Sequence, residues 1–283
     1  MSSTNYTVEF DSINSGGDDI SSSTNYFIRD TIGEQATGLS SSTNYTVQAG
    51  YRQVDETTAL TFDIGTQENS TETVFSAFSS GGLSVTVASE ASFATDTFIG
   101  VVENKGLSQI VALGKITTIG GNVITVDQWD GNPSGISAVP AGGDDFVYRL
   151  EGAAAQLGTL SASAGATSLT HTDVTTNAGS GYTVYVSSDG TLRSGSDSID
   201  NVTDGSVTIG SEEYGALVTG TRGTASSTAA DFALTTSLFD IQNATSSAPL
   251  EQRVGLVYKA AITATTPGGS YSQLVYYTVT ANF

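Results

Sequence analysis

Short runs in which apolar residues occupy every second position, broken by glycine-rich stretches, recur along the whole chain, as in Tyr182, Val184, Val186 and in Tyr45, Val47, Ala49, Tyr51. A side-chain period of two is that of a strand with one buried face. Few windows hold apolar residues at i, i+3 and i+4 without Gly or β-branched residues, and 229–238 is the best short helical candidate. Many short strands without intervening helices exclude a parallel α/β sheet and favour sandwiches. The fold class expected is all-β: an N-terminal strand meander followed by two β-sandwich-like domains.

The meander rests on a direct repeat. Ser2-Ser3-Thr4-Asn5-Tyr6, Ser22-Ser23-Thr24-Asn25-Tyr26 and Ser41-Ser42-Thr43-Asn44-Tyr45 recur about every 20 residues, each followed by alternating apolar positions. Gly16-Gly17-Asp18-Asp19, Gly33 and Gly38 lie between the copies and suit tight reversals. The expected division is 1–53 for the repeats, 54–152 for a β domain and 153–283 for a C-terminal sandwich. Within these, strands are expected at 60–64, 83–87, 98–102, 146–148, 182–186, 254–262 and 271–283, with a further one at Val207 and Ile209. Residues 115–119 and 122–126 flank Gly120-Gly121 as a hairpin.

Charge narrows the partners. Nine Lys and Arg against 29 Asp and Glu leave a net charge of -20, so nucleic acid and anionic bilayers are repelled. Only 13% of residues are charged, Ser and Thr make up roughly three in ten, and 12 Tyr with 11 Phe supply too much aromatic material for a disordered chain. Without cysteine there is no disulfide, thiolate nucleophile or Cys-ligated metal. No run approaches the ~20 apolar residues of a membrane-spanning helix. Met1 leads straight into a repeat unit, as expected of a chain whose export leader has been removed.

Catalytic equipment is sparse. A Ser-His-Asp device would have to use His171, the single histidine, and no G-x-S-x-G elbow accompanies it; a surface or turn position is expected for it. Imidazole-built zinc sites fail for the same reason. Glu212-Glu213 and Asp18-Asp19 are adjacent and would point to opposite faces of a strand, which suits solvated surface better than paired acid-base work. No cofactor is expected, and no enzyme activity. Calcium is the inorganic partner best matched by the residues, at Asp127, Asp130 and Asn132 or at Asp197, Asp200 and Asp204, though turn-forming hydrogen bonds explain both groups. Trp129 is a candidate sugar platform or a core aromatic. Sequons at Asn5, Asn44, Asn69, Asn201 and Asn243 are as many as chance supplies in a chain this rich in Ser and Thr.

Three passages carry a resemblance: the repeats, the run from Thr176-Asn177-Ala178-Gly179-Ser180-Gly181-Tyr182-Thr183-Val184 through Asp189-Gly190 to Gly210-Ser211-Glu212-Glu213-Tyr214-Gly215, and the ending Tyr276-Tyr277-Thr278-Val279-Thr280-Ala281-Asn282-Phe283. Together they resemble secreted, low-charge β-rich surface proteins of uncultivated, candidate-phyla bacteria. The strand-terminated end is loosely similar to pilin and donor-strand filament subunits. The resemblance implies an extracellular or cell-surface protein with Ig- or pilin-like sandwich domains and carries over no catalytic residues. The pilin likeness also brings in Lys259 and Asn282 as an isopeptide pair.

The function expected is a structural subunit, a homopolymer assembled by β-strand addition. The donor strand would be the N-terminal segment, with Tyr6, Val8 and Phe10 on one face, Thr7 and Glu9 on the other, and Asn14-Ser15-Gly16-Gly17 as a linker. The rival for this strand is pairing with its own repeats. A carbohydrate-binding or adhesive module acting on surface glycans and a viral fibre or decoration protein remain alternatives.

Overall fold

The structure is a computed structural model that describes residues 59–220 and 230–282, together with the paired strands of an N-terminal unit. Tyr6, Val8 and Phe10 lie outside the described residues. The N-terminal unit, residues 1–58, contains two antiparallel hairpins. Strands β1 (Ser21–Ser22) and β2 (Phe27–Ile28) pair with Ser22 opposite Phe27, and β3 (Gly38–Ser41) and β4 (Thr46–Ala49) pair with Ser41 opposite Thr46. The first residue of the second repeat copy, Ser22, closes β1, and that of the third, Ser41, closes β3.

The second unit, 59–283, is all-β. One half is a sandwich. Its four-stranded sheet has the order β17 (Glu213–Thr219), β19 (Ala248–Ala261), β13 (Ala166–Thr176), β5 (Leu60–Thr66). A three-stranded sheet, β18 (Phe239–Ala244), β14 (Tyr182–Ser188), β20 (Val275–Ala281), packs on it. Alternate residues of β19, namely Val254, Leu256, Tyr258 and Ala260, meet Val184, Val186 and Ile241 in the core between the sheets. Sandwich strand β5 precedes 73–149 in sequence and pairs along its length with β13, so this sheet draws on both sides of residue 152. A short hairpin, β15 (Leu192–Ser194) with β16 (Asp197–Ile199), adds Leu192 and Ile199 to the same core.

Between β5 and β13 the chain forms a ring in place of a second sandwich. Strands β6 (Thr73–Ser79), β7 (Ser84–Val87), β10 (Val123–Val126), β9 (Ile110–Gly120), β8 (Phe98–Glu103) and β12 (Phe146–Arg149) pair in that order, and β12 pairs back with β6. Closure works because two strands serve two neighbours each: β9 pairs through 110–115 with β8 and through 116–120 with β10, and β6 likewise divides between β12 and β7. Inside lie Phe75, Val85, Ile99, Ala112, Ile124 and Val147. Strand β11 (Asp130–Gly131) attaches to the side of β9. The expected hairpin at Gly120-Gly121 is present, with Asn122 and Gly121 both at φ +64° as a type I′ turn requires.

Two expectations fail locally. Val207 and Ile209 belong to no strand, because the Gly205 and Gly210 turns bracket them too closely. Residues 230–238 form no helix; Phe232 instead bridges Ala216 and stacks on Phe239 at 4.0 Å. Burial of the two aromatic rings outweighs a weak local preference.

The barrel packs on the outer face of the four-stranded sheet. Phe98, Val102, Leu113, Tyr148 and Leu150 meet Leu169 of β13 and Val257 of β19. Glycine sets the approach distance: a Cβ at Gly100 would lie 2.5 Å from Leu169, and one at Gly255 would lie 2.8 Å from Leu113. Covered on both faces, β13 is buried almost throughout. At this contact Arg253 of β19 is fully buried. Its Nε donates to Asp173 at 3.0 Å, and its terminal nitrogens reach Asp127 at 3.1 Å, Asp130 at 3.3 Å and Glu251 at 3.2 Å, while the guanidinium lies 4.9 Å from the centre of the Phe98 ring. Asp127, Asp130 and Phe98 belong to the barrel and Asp173 and Glu251 to the sheet, so one cation joins the two.

Arg253→Met should strip several carboxylates of their counter-charge and cost about 3–5 kcal/mol, as removal of one partner from a buried ion pair does. Urea unfolding measures this. Adding Asp130→Asn and Asp173→Asn should restore part of the loss, because the stranded charges go with them.

Candidate functional site

The sandwich has four edge strands, and each has to be guarded or paired. On β17, Ala216 exchanges two backbone hydrogen bonds with Phe232, and Tyr214 donates to Asp200 at 2.7 Å. Strand β5 carries Asp63 and is closed at Thr66 by reciprocal bonds with Gly152, both 2.8 Å. Strand β18 carries Asp240 and a bulge in its pairing with β14. Strand β20 differs from all three. Its sequence, Val-Tyr-Tyr-Thr-Val-Thr-Ala, contains no charge, proline or glycine, its register with β14 is unbroken, and its other edge pairs with no strand among the described residues.

A groove of about 1260 Å³ lies beside that edge, lined by Ile64 and Thr66 of β5 and by Val275 and Tyr277 of β20. Four strands face three here, and the groove occupies the place of the absent fourth. Val275, Tyr277 and Val279 point at the core but are only partly buried, and Ile64 of β5 is exposed. Residues 153–160 cross the groove without forming a strand, and Ala155, Leu157 and Leu160 rest against the core. At the groove's base the Tyr258 and Tyr277 hydroxyls meet at 2.6 Å, and burial raises both phenols above their ordinary range. They are neutral anchors rather than acid-base groups. Physically, the groove offers apolar pockets beside a row of backbone donors and acceptors.

No family model, no curated protein and no solved structure matches the chain. Function has to be argued from the geometry.

The other sequence candidates fall elsewhere. Trp129 is buried beside Phe78, ring centres 4.9 Å apart, with its indole N–H donated to the Ser79 carbonyl at 3.2 Å; it is a barrel core residue. In the first calcium candidate, Asp127 and Asp130 bind Arg253, while Asn132 accepts from Gly135 in its own turn. In the second, Asp204 accepts from Ser206. Glu213 accepts from the Thr208 amide and Glu212 from the Thr266 hydroxyl. Lys259 is paired with Asp231 at 2.7 Å, both side chains buried, and Asn282 is held in the other sheet against Gly181. Lys259 and Asn282 are thus each held by a partner other than the other.

His171 is neither a surface nor a turn residue. It occupies the middle of β13, almost fully buried and packed against Phe98 with ring centres 4.1 Å apart and the rings tilted by 32°. Burial, reinforced by the nearby Arg253 charge, pulls its pKa down to about 3. Two strands' worth of neighbours account for the surprise: β13 lies between β5 and β19, and the barrel covers its outer face. Asp173, two residues on, is pushed up to about 7, because burial and the like charge of Glu251 outweigh the pull of Arg253.

These two groups give opposite pH slopes. Asp173 binds its proton more tightly folded than unfolded, so its contribution to stability falls as pH rises between about 4 and 7. His171 is harder to protonate when folded, so its contribution is full above about 6.5 and is lost as pH drops towards 3. Asp173→Asn removes the first slope and leaves the second. Urea midpoints at pH 4, 5.5 and 7 should therefore rise more steeply with pH in the variant than in the parent chain.

Proposed function

We propose that the protein is a structural subunit that assembles with copies of itself by β-strand addition at β20, in an extracellular or cell-surface filament. The observation that carries the reading is the unguarded β20 edge beside an apolar groove. An added strand would take up backbone pairing along β20 and place alternate side chains in the groove. Among the sandwich edges described, this one alone combines no charge, no bulge and no backbone partner on its free side.

The donor we assign is the segment containing Tyr6, Val8 and Phe10 of a second copy. Five residues extend about 17 Å and the seven of β20 about 24 Å, so the donor fits within the acceptor's length. Three apolar side chains buried at roughly 1.5–3 kcal/mol each give about 5–9 kcal/mol. Association costs about 4–15 kcal/mol, so side-chain burial alone does not hold the joint, and backbone pairing decides whether a polymer persists. Head-to-tail donation is heterologous and does not need to close, which yields a filament. In this reading the sandwich plays the part it does in pilin-like subunits.

Deletion of residues 1–12 should leave a folded β monomer, and a synthetic peptide of those residues should bind it and slow amide exchange along β20. Negative-stain images of the full chain should show filaments that the truncated chain does not form. Filaments of unchanged width from the truncated chain would exclude this donor. A full chain that stays monomeric at all concentrations would overturn the function itself. Val275→Lys, which sets a charge in the groove, should weaken assembly in the same assays.

A further inference from the structure

The groove beside β20 already has an occupant from its own chain. Residues 153–160 line it along their whole length between two fixed points. One is Gly152, bonded to Thr66, and the other is the turn at Ser161, whose carbonyl accepts from the Ala164 amide at 3.4 Å just before β13. Ala155 and Leu157, two residues apart, share a face as they would in a strand, and with Leu160 they rest half-buried on the core. Ala153, Ala154 and Gln156 are exposed. The apolar side chains thus take the place of those that a fourth strand would bring.

The backbone does not do the same. Among the described residues no amide of 153–160 donates a hydrogen bond, and one carbonyl, that of Gln156, accepts, from the Asn69 side chain at 3.3 Å. Gly158 is the reason. Its φ of +72° turns the chain off an extended path, so Leu160 follows Leu157 by three residues instead of two and no ladder runs through the segment. A stretch held by a few small apolar contacts and hardly any backbone bonds opens at low free energy. Tyr6, Val8 and Phe10, by contrast, alternate with no glycine among them and carry larger side chains than Ala155 and Leu157.

We propose that residues 153–160 are a resident plug, seated in the groove of the free subunit and displaced by the incoming donor strand. Its role rests on strand addition at β20 and governs when the acceptor opens. Tethered at both ends, the plug meets the groove at the high effective concentration of an intramolecular contact and keeps the apolar pockets covered. A donor wins because it adds the backbone pairing that the plug leaves unmade. Until then the apparent affinity for a donor is reduced by the fraction of time the groove stands open.

Gly158→Ala tests this in the full chain. A Cβ at 158 meets no atom within 4 Å, so the substitution leaves the packing intact and penalises the positive φ of the seated segment. Gly121→Ala, at φ +64° in the barrel hairpin and equally free of neighbours, is the control for a strained alanine away from the groove. With the plug seated about nine-tenths of the time, Gly158→Ala should speed filament assembly up to about tenfold by light scattering, with filament width unchanged in negative stain, and Gly121→Ala should not. Because the chain has no cysteine, a nitroxide on Gln156→Cys reports that position alone, and its spectrum should sharpen between dilute monomer and filament. Equal assembly rates for the parent chain and Gly158→Ala, or a label as immobile in filaments as in the monomer, would overturn the plug and leave strand addition standing. A parent chain that forms no filaments would overturn strand addition and the plug with it.

Discussion

Arg253 is the constraint on which the rest of the second unit depends. A guanidinium removed from water has to be surrounded by acceptors, and here they come from β13, from β19 itself and from the barrel turn that holds Asp127 and Asp130. Meeting that requirement fixes how the barrel sits against the sheet. Apolar packing of Leu169 and Val257 against Leu113 and Leu150 supplies the area, and the glycines at 100 and 255 let the layers close. Hydrophobic contact is tolerant of small slides, whereas a five-way ionic arrangement is not.

That coupling has a functional reading. The barrel covers one face of the sandwich's larger sheet and the three-stranded sheet covers the other, which buries most of β13 and β19. Edges are therefore the part of the sandwich still open to a partner, and the chain closes three of them by different means. Backbone bonds from Phe232 shield β17, the Gly152 bridge and a charge shield β5, and a bulge and a charge mark β18. Leaving β20 open by oversight would expose a strand of β-branched and aromatic residues to any other chain. An edge of this composition is consistent with a surface kept for pairing.

Much of the fold was legible in the sequence, and the misses share a cause. Half-buried strands such as Tyr182–Ser188 and Val275–Ala281 alternate visibly because one face meets the core and the other meets solvent. Central strand β13, Ala-Thr-Ser-Leu-Thr-His-Thr-Asp-Val-Thr-Thr, gives no such signal: both faces are buried, and threonine methyls with a hydrogen-bonded aspartate take the place of large apolar residues. His171 was misread for the same reason, since a histidine among threonines reads as surface when its strand goes unrecognised. Strand β6 was missed as well, its apolar pattern interrupted by the irregular register between Phe75 and Ala77 where the barrel bends.

Local periodicity and turn chemistry, both short-range properties, were enough to determine that the chain is all-β and that a hairpin turns at Gly120-Gly121. Which strands become neighbours depends on contacts between residues far apart. Closing a barrel between β5 and β13, gathering Asp127, Asp130 and Asp173 around Arg253, and leaving β20 with one free edge are all decisions of tertiary structure. The physical reason is that backbone pairing is indifferent to sequence. A strand's residues specify its faces, while its partner is set by which arrangement buries those faces and satisfies every enclosed charge at once.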